Sequence, residues 1–135
     1  VKRYPVIYVE DPFNEDDFLS FAVLAHELQP RIICGDDLYA SNMKRLKDGI
    51  EFKATNAIII KPNQVGTITD VMKTVELARK NKMITVMSHR SNETEDALIC
   101  HLAVGLSCDY IKLGIAGERA VKINEMIRIE EKFTG

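Results

Sequence analysis

The chain has 135 residues, 46% hydrophobic and 28% charged, which is room for one packed core and little for a second domain. Lys and Arg number 18 against 20 Asp and Glu, a net charge of -2, and no single-sign block is long enough to serve as a nucleic-acid arm or a polybasic membrane anchor. The longest apolar runs, such as Ala57–Ile60, fall far short of the roughly 20 residues that cross a bilayer, and no apolar leader opens the chain, so a soluble, unsecreted protein is expected.

The chain opens Val1-Lys2-Arg3-Tyr4-Pro5, without a methionine, and enters a strand-like run at Val6–Val9, as a trimmed chain or a piece of a longer one would. A helical pattern follows at Asp16–Leu28, then a strand-like run at Ile32–Cys34 and a helix at Asn42–Phe52. The β-branched run Ala57–Ile60 precedes a helix at Thr67–Asn81, where Ile68, Val71, Met72, Val75, Leu77 and Ala78 make the apolar face. The last two units are Ile84–Met87 with Glu93–Leu106, and Tyr110–Leu113 with Glu118–Phe133. Strands that are apolar without alternation are covered on both faces, and strict β-α succession argues for a parallel sheet. The fold class is therefore α/β, five successive parallel βα units. Cys34, Cys100 and Cys108 lie in or beside apolar runs without metal-ligand spacing, so buried thiols are expected, not a disulfide framework or a zinc site.

A polar residue stands at or just past the end of each strand: Glu10, Asp36, Lys61, His89 and Lys112. They are 26, 25, 28 and 23 residues apart, one βα unit each time, so all five belong to the carboxyl edge of one sheet, where ligands bind in parallel β architectures. Each alone has a bland explanation. An aspartate can cap a helix and a lysine can reach for solvent, but five in register make a site. Glu10 and Asp36 offer hard oxygen ligands, which favour Mg²⁺ over zinc, with Asp11 and Asp37 as supporting residues. Lys61, with Lys112 as a second lysine and a cation nearby, suits a general base. Ser88-His89-Arg90-Ser91 offers an Arg fork and hydroxyls to a phosphate ahead of a helix expected to start near Glu93. The plainer alternative is that Ser91 and Asn92 cap that helix, with Glu95 completing the turn. A cation, a lysine base and a phosphate grip together describe proton abstraction beside a carboxylate in a phosphorylated acid.

At these residues a family resemblance becomes specific. Glu10-Asp11-Pro12-Phe13, Gly35-Asp36-Asp37-Leu38, Lys61-Pro62-Asn63-Gln64-Val65-Gly66-Thr67, Ser88-His89-Arg90-Ser91-Asn92-Glu93-Thr94-Glu95-Asp96, Ile111-Lys112 and Arg128-Ile129-Glu130-Glu131 resemble, in order, the signatures of enolase, phosphopyruvate hydratase. The resemblance implies a C-terminal portion of a (β/α)8 barrel, with residues 1–135 one partial-barrel domain whose amino-terminal domain and first barrel strands are absent. It further implies a Mg²⁺-dependent lyase of glycolysis and gluconeogenesis, cytoplasmic, converting 2-phosphoglycerate to phosphoenolpyruvate. Lys61 then matches the lysine that takes the carbon-2 proton, and Glu10 and Asp36 match two metal-binding carboxylates. Arg90 and Ser91 match the phosphate contacts, His89 lines the pocket, and Lys112 matches the lysine that meets the substrate carboxylate.

Pro62 departs from the family's usual aliphatic residue, Asn92 from its glycine, and Leu113–Arg119 is shorter than the common form. By the resemblance, a third metal carboxylate and the glutamates tied to hydroxyl departure precede the matched portion, so the chain alone is expected to be inactive. A stand-alone, non-catalytic half-barrel acting as a binding or assembly module is the alternative. Five units cannot close an eight-stranded barrel. The chain is accordingly expected to form a homo-oligomer or part of a larger enolase body, because Val6, Ile58, Ile60, Val86 and Ile111 form a sheet face made to fill a barrel interior.

Overall fold

A computed structural model describes residues 3–135 of the chain. Its five strands are β1 (Tyr8–Glu10), β2 (Ile32–Gly35), β3 (Ala57–Ile60), β4 (Ile84–Ser88) and β5 (Tyr110–Lys112). They lie in the order β1-β2-β3-β4-β5, every neighbouring pair parallel. The helices are α1 (Phe18–Glu27), α2 (Met43–Phe52), α3 (Pro62–Val65), α4 (Ile68–Lys80), α5 (Leu98–Gly105) and α6 (Ala120–Thr134), with one 3₁₀ turn at Gly117–Arg119. Among the described residues no helix is long and apolar enough to cross a membrane.

The sheet is strongly curled. Five strands laid flat place the first and last about 19 Å apart, at about 4.8 Å per spacing, yet Lys112 Nζ on β5 lies 2.7 Å from Glu10 Oε1 on β1. Two side chains cannot close that gap unless the sheet bends round to bring its edges together. The five parallel strands therefore make a half-barrel, alternating with helices.

The two faces carry different residues. Ile33, Ile58, Ile60 and Met87 pack with the helices around Phe21, Leu38, Tyr39, Leu46 and Val71, while Cys34, Ala57, Ile59 and Val86 form a second cluster with Tyr8, Ile32 and Ile84 on the concave side. The expectation that Ile58, Ile60 and Ile111 share the interior with Val86 is thus corrected. Val86 pairs in register with Ile59 and Tyr110, while Ile58 and Ile60 alternate to the other side. Helix α4 differs likewise: Val71, Thr74, Val75 and Ala78 are buried, whereas Ile68 and Met72 are about half exposed. Helix α5 starts at Leu98, not Glu93; its N-cap residue is Ala97, and Asp96 Oδ1, one residue earlier, accepts the Leu98 amide at 2.6 Å. Neither Ser91 nor Asn92 caps it. All three cysteines are free thiols, Cys34 and Cys100 buried and Cys108 partly so.

Side chains finish the ladders at the amino end of the sheet. Asn56, just ahead of β3, accepts the Ile33 amide at 2.8 Å and donates to the Arg31 carbonyl at 2.8 Å. Asp109, ahead of β5, accepts the Thr85 amide and hydroxyl, both at 2.8 Å. These bonds satisfy strand groups the neighbouring backbone does not reach and fix the register that brings the opposite strand ends level.

Candidate active site

Two lysine–carboxylate pairs occupy the carboxyl edge. Lys61 Nζ donates to Asp36 Oδ2 at 2.6 Å, with both side chains largely buried, and Lys112 Nζ donates to Glu10 Oε1 at 2.7 Å and Oε2 at 3.0 Å. Tyr8, two residues before Glu10 and on the same face, donates its hydroxyl to Glu10 Oε2 at 2.9 Å. The four charged groups come from β1, from the turn after β2, and from the ends of β3 and β5, so their meeting depends on the curl. Glu10 and Lys112 also line a cavity of about 480 Å³ with Tyr8, Ile32, Val86 and Tyr110, on the concave side between the first and last strands.

The backbone around these groups is held by residues that bear none of the chemistry themselves. Asp11 has a left-handed conformation, φ 41°, which turns its carboxylate to accept the Asp36 amide at 2.9 Å and the Asp37 amide at 2.7 Å. Asp36 itself begins a tight turn, its carbonyl accepting the amides of Tyr39 and Ala40. Tyr39 is fully buried and lies so close to Gly35 that a Cβ there would stand 2.7 Å from the ring. Ser41, almost wholly buried, accepts the Lys61 amide at 2.8 Å and meets Gln64 Oε1 at 2.9 Å. Sequence reasoning missed Tyr8 and Ser41. The period-two spacing of Tyr8 and Glu10 was the available signal for the first, and Ser41 carries none.

Burial raises the Asp36 carboxyl above the usual range, and the charges of Glu10 and Asp37 add to that, against the hydrogen bond and charge of Lys61. Burial alone would lower Lys112, but the hydrogen bond and charge of Glu10, with Asp36 behind it, leave its ammonium above the ordinary value. Desolvation lowers His89, helped by Arg119, Lys122 and Lys112 and opposed by Glu93. Burial also pushes the Cys34 thiol up to about 12, consistent with an inert core residue.

His89, Arg90 and Ser91 lie on the segment after β4, beside the same edge. His89 is half-buried with Nδ1 unpartnered, and its amide meets the Lys112 carbonyl at 3.4 Å. Arg90 and Ser91 are exposed, and among the described residues their side chains make no hydrogen bond or ion pair with the four-residue cluster. What fixes them is their backbone: Glu93 Oε1 accepts the Arg90 amide at 2.9 Å, and the Arg119 guanidinium donates to the Ser91 carbonyl.

Carboxylate oxygens of Asp11, Asp36 and Asp37 lie within 4.8 Å of one another. Both Asp11 oxygens are engaged by backbone amides, so Asp11 is better placed as a clamp than as a ligand. Asp36 Oδ1, by contrast, is buried without a hydrogen-bond partner, and a buried carboxylate oxygen left bare is costly unless something positive meets it. With Glu10 nearby as a second hard donor, the residues fit a hard divalent cation. Each Glu10 oxygen has lone pairs beyond those used by Lys112 and Tyr8.

The whole chain, residues 1–135, matches the family model described as enolase, C-terminal TIM barrel domain. It is 50% identical over 135 residues to the enolase of Saccharolobus solfataricus, covering 98% of this chain and 32% of that protein. The enolase of Methanocorpusculum labreanum is likewise 50% identical over 135 residues, with 98% and 34% covered, and that of Natronomonas pharaonis 52% over 132 residues, with 96% and 33% covered. The chain therefore spans about a third of the length of these curated relatives. On this match, over its full length and with its five strands parallel in sequence order, the chain belongs to the enolase family.

Proposed function

We propose that this chain carries the C-terminal part of the active site of a lyase that removes water from 2-phosphoglycerate to form phosphoenolpyruvate, as a cytoplasmic step of glycolysis and gluconeogenesis. The observation that carries the reading is the gathering of Glu10, Asp36, Lys61 and Lys112 at one strand edge as two lysine–carboxylate pairs. Glu10 and Asp36 would hold Mg²⁺, which neutralises charge that builds on the substrate carboxylate as the carbon-2 proton leaves.

The chain's own groups divide the remaining work. Lys61, on the rigid end of β3 with its amide fixed by Ser41, takes the proton from carbon 2. The electron pair of that C–H bond moves toward the carboxylate, then forms the carbon–carbon double bond as hydroxide leaves carbon 3. The acid that assists this departure belongs to the part of the enzyme outside residues 1–135. Lys112 pairs with the substrate carboxylate, Arg90 and Ser91 grip the phosphate, and His89 closes the pocket wall. Residues 1–135 act within this reading as one partial-barrel domain.

The test is exchange of the carbon-2 proton with solvent in the intact protein. Lys61→Ala should abolish exchange while Mg²⁺ binding, followed by calorimetry, persists; Glu10→Ala should weaken Mg²⁺ binding. Undiminished exchange in Lys61→Ala would show that another residue is the base. Absence of any turnover by the intact, metal-loaded protein would favour the non-catalytic binding module.

A further inference from the structure

Helix α6 has an unusual buried stripe: Lys122, Glu125 and Ile129, two charged residues where a core-facing helix ordinarily places apolar ones. Glu125 is met from the surface by His101 Nε2 at 3.0 Å and by Arg128. Lys122 is the deeper case. Its side chain is 1% exposed, and an ammonium taken that far from water is stable only with its partners in place. Those partners lie on the segment between β4 and α5: Glu93 Oε2 at 3.1 Å and the Thr94 carbonyl at 2.6 Å. The other Glu93 oxygen accepts the Arg90 amide. A continuous polar chain thus runs from the frame of α6 through Lys122 and Glu93 to the backbone of Arg90.

Besides this polar chain, the Arg119 guanidinium holds that segment by donating to the Ser91 carbonyl. Residues 89–97 contain neither helix nor strand, and Arg90, Ser91 and Asn92 are exposed. A cavity of about 340 Å³, lined by Pro62, Asn63, Ser88, Glu93, Thr94 and Leu98 among others, separates it from α3, so apolar packing does not fix it from that side. Burial alone would raise the Glu93 carboxyl, but the Arg90 amide, the Lys122 hydrogen bond and charge and the charge of His89 together hold it low, which keeps it ionised as the tether requires.

We propose that Lys122 and Glu93 are positioning residues: their buried ion pair sets the Arg90–Ser91 segment where it can hold the phosphate of the substrate. This rests on the reading of Arg90 and Ser91 as the phosphate grip. The phosphate is an ester on carbon 2, but none of its own bonds is made or broken and it is held in ground and transition states alike, so loosening its grip acts on binding more than on the chemical step.

The experiment uses the intact protein with Mg²⁺ and compares Lys122→Met, the paired replacement Glu93→Leu/Lys122→Met, and Arg90→Ala. The paired replacement leaves no unmatched buried charge, so it keeps the fold even if Lys122→Met alone loses it. It should melt near the wild-type temperature, yet its KM for 2-phosphoglycerate should rise about tenfold with kcat falling less than about threefold, the pattern of lost uniform binding. Binding of inorganic phosphate should weaken in parallel. A wild-type KM in the folded paired replacement, with Arg90→Ala raising KM, overturns the positioning role and leaves the grip standing. A wild-type KM in Arg90→Ala removes the grip itself, and the proposal with it.

Discussion

The two lysine–carboxylate pairs differ in burial, and that difference sets what each is worth. Lys61 and Asp36 have side chains 14% and 11% exposed, against 48% and 22% for Lys112 and Glu10. Lys61→Met removes the ammonium but keeps most of the stem, so the loss is mainly electrostatic. Asp36 then keeps its charge with Oδ1 already bare and Oδ2 newly so. Stripping one partner from a fully buried pair costs about 3–5 kcal/mol, and a hydrogen bond to a charged group alone is worth about 1.5–3; this pair, slightly wet, should fall at about 2–4 kcal/mol. Lys112→Met should cost no more than about 1 kcal/mol, the range for exposed pairs, since Tyr8 still donates to Glu10. Urea midpoints of the intact protein in a chelator should therefore fall roughly 1 M further for Lys61→Met than for Lys112→Met, given slopes of about 2–3 kcal/mol/M. Adding Asp36→Asn to Lys61→Met should recover most of the loss, because an amide needs no counter-charge. Equal losses for the two lysines, or a double variant as unstable as Lys61→Met, would refute the assignment of the cost to charge.

Three smaller expectations follow from the same frame. Gly35→Ala drives a methyl against the buried Tyr39 ring and the Leu38 side chain, and should destabilise by about 1–3 kcal/mol, read from chemical denaturation. Asn42 caps α2 by accepting the amides of Lys44 and Arg45, so Asn42→Ala should cost about 1 kcal/mol in the same assay. Asp109 is held below the ordinary carboxylate value, first by the Thr85 amide. Its contribution is therefore full above about pH 4 and lost as pH falls through its lowered folded value, and Asp109→Asn should flatten the fall in unfolding midpoint between pH 5 and pH 2.

The half-barrel was legible because its elements alternate with a single unit length and its strands are short β-branched runs; Ala57–Ile60 is the same in sequence and structure. What the chain could not reveal was phase. A strand apolar on both sides has no alternation to tell inside from outside, so the sequence alone groups Ile58, Ile60 and Ile111 with Val86 on one face. Only the pairing of Ile59 with Val86 separates them. The late start of α5 has a related cause. Ser91, Asn92, Glu93 and Glu95 carry a helix-start signature, but Glu93 is committed to Lys122 on α6, a contact between residues far apart in sequence. At the site, the residue types at the strand ends were readable from chain order, while their partnerships were not, because these depend on how far the sheet curls. Lys122 escaped notice because lysine on a helix reads as solvated. Its place three residues before Glu125 and seven before Ile129, on one helical stripe, was the signal that it is not.

The curl that assembles the site also leaves a surface whose fate can be measured. Strands β1 and β5 are each paired on one side only, and Ile7 and Tyr110 beside the gap are 75% and 54% exposed. The concave cavity between them is lined by Tyr8, Ile32, Val86 and Tyr110, apolar side chains of the kind that fill a barrel. Burying an aliphatic side chain of this size is worth about 1.5–3 kcal/mol, and an open strand edge is a template for pairing, so several such groups left wet give a strong drive to cover them. In the C-terminal TIM barrel domain that the family model describes, further strands would serve. The isolated 135-residue polypeptide should therefore self-associate through these edges, and its sedimentation coefficient should exceed that of a monomer at micromolar concentration. Lys substitutions at Ile7 and Tyr110, which place charge on the open edges, should shift it toward monomer. A well-folded monomer without those substitutions would show that the curl and the Glu10–Lys112 pair already close the gap well enough, and the argument from open edges would fail.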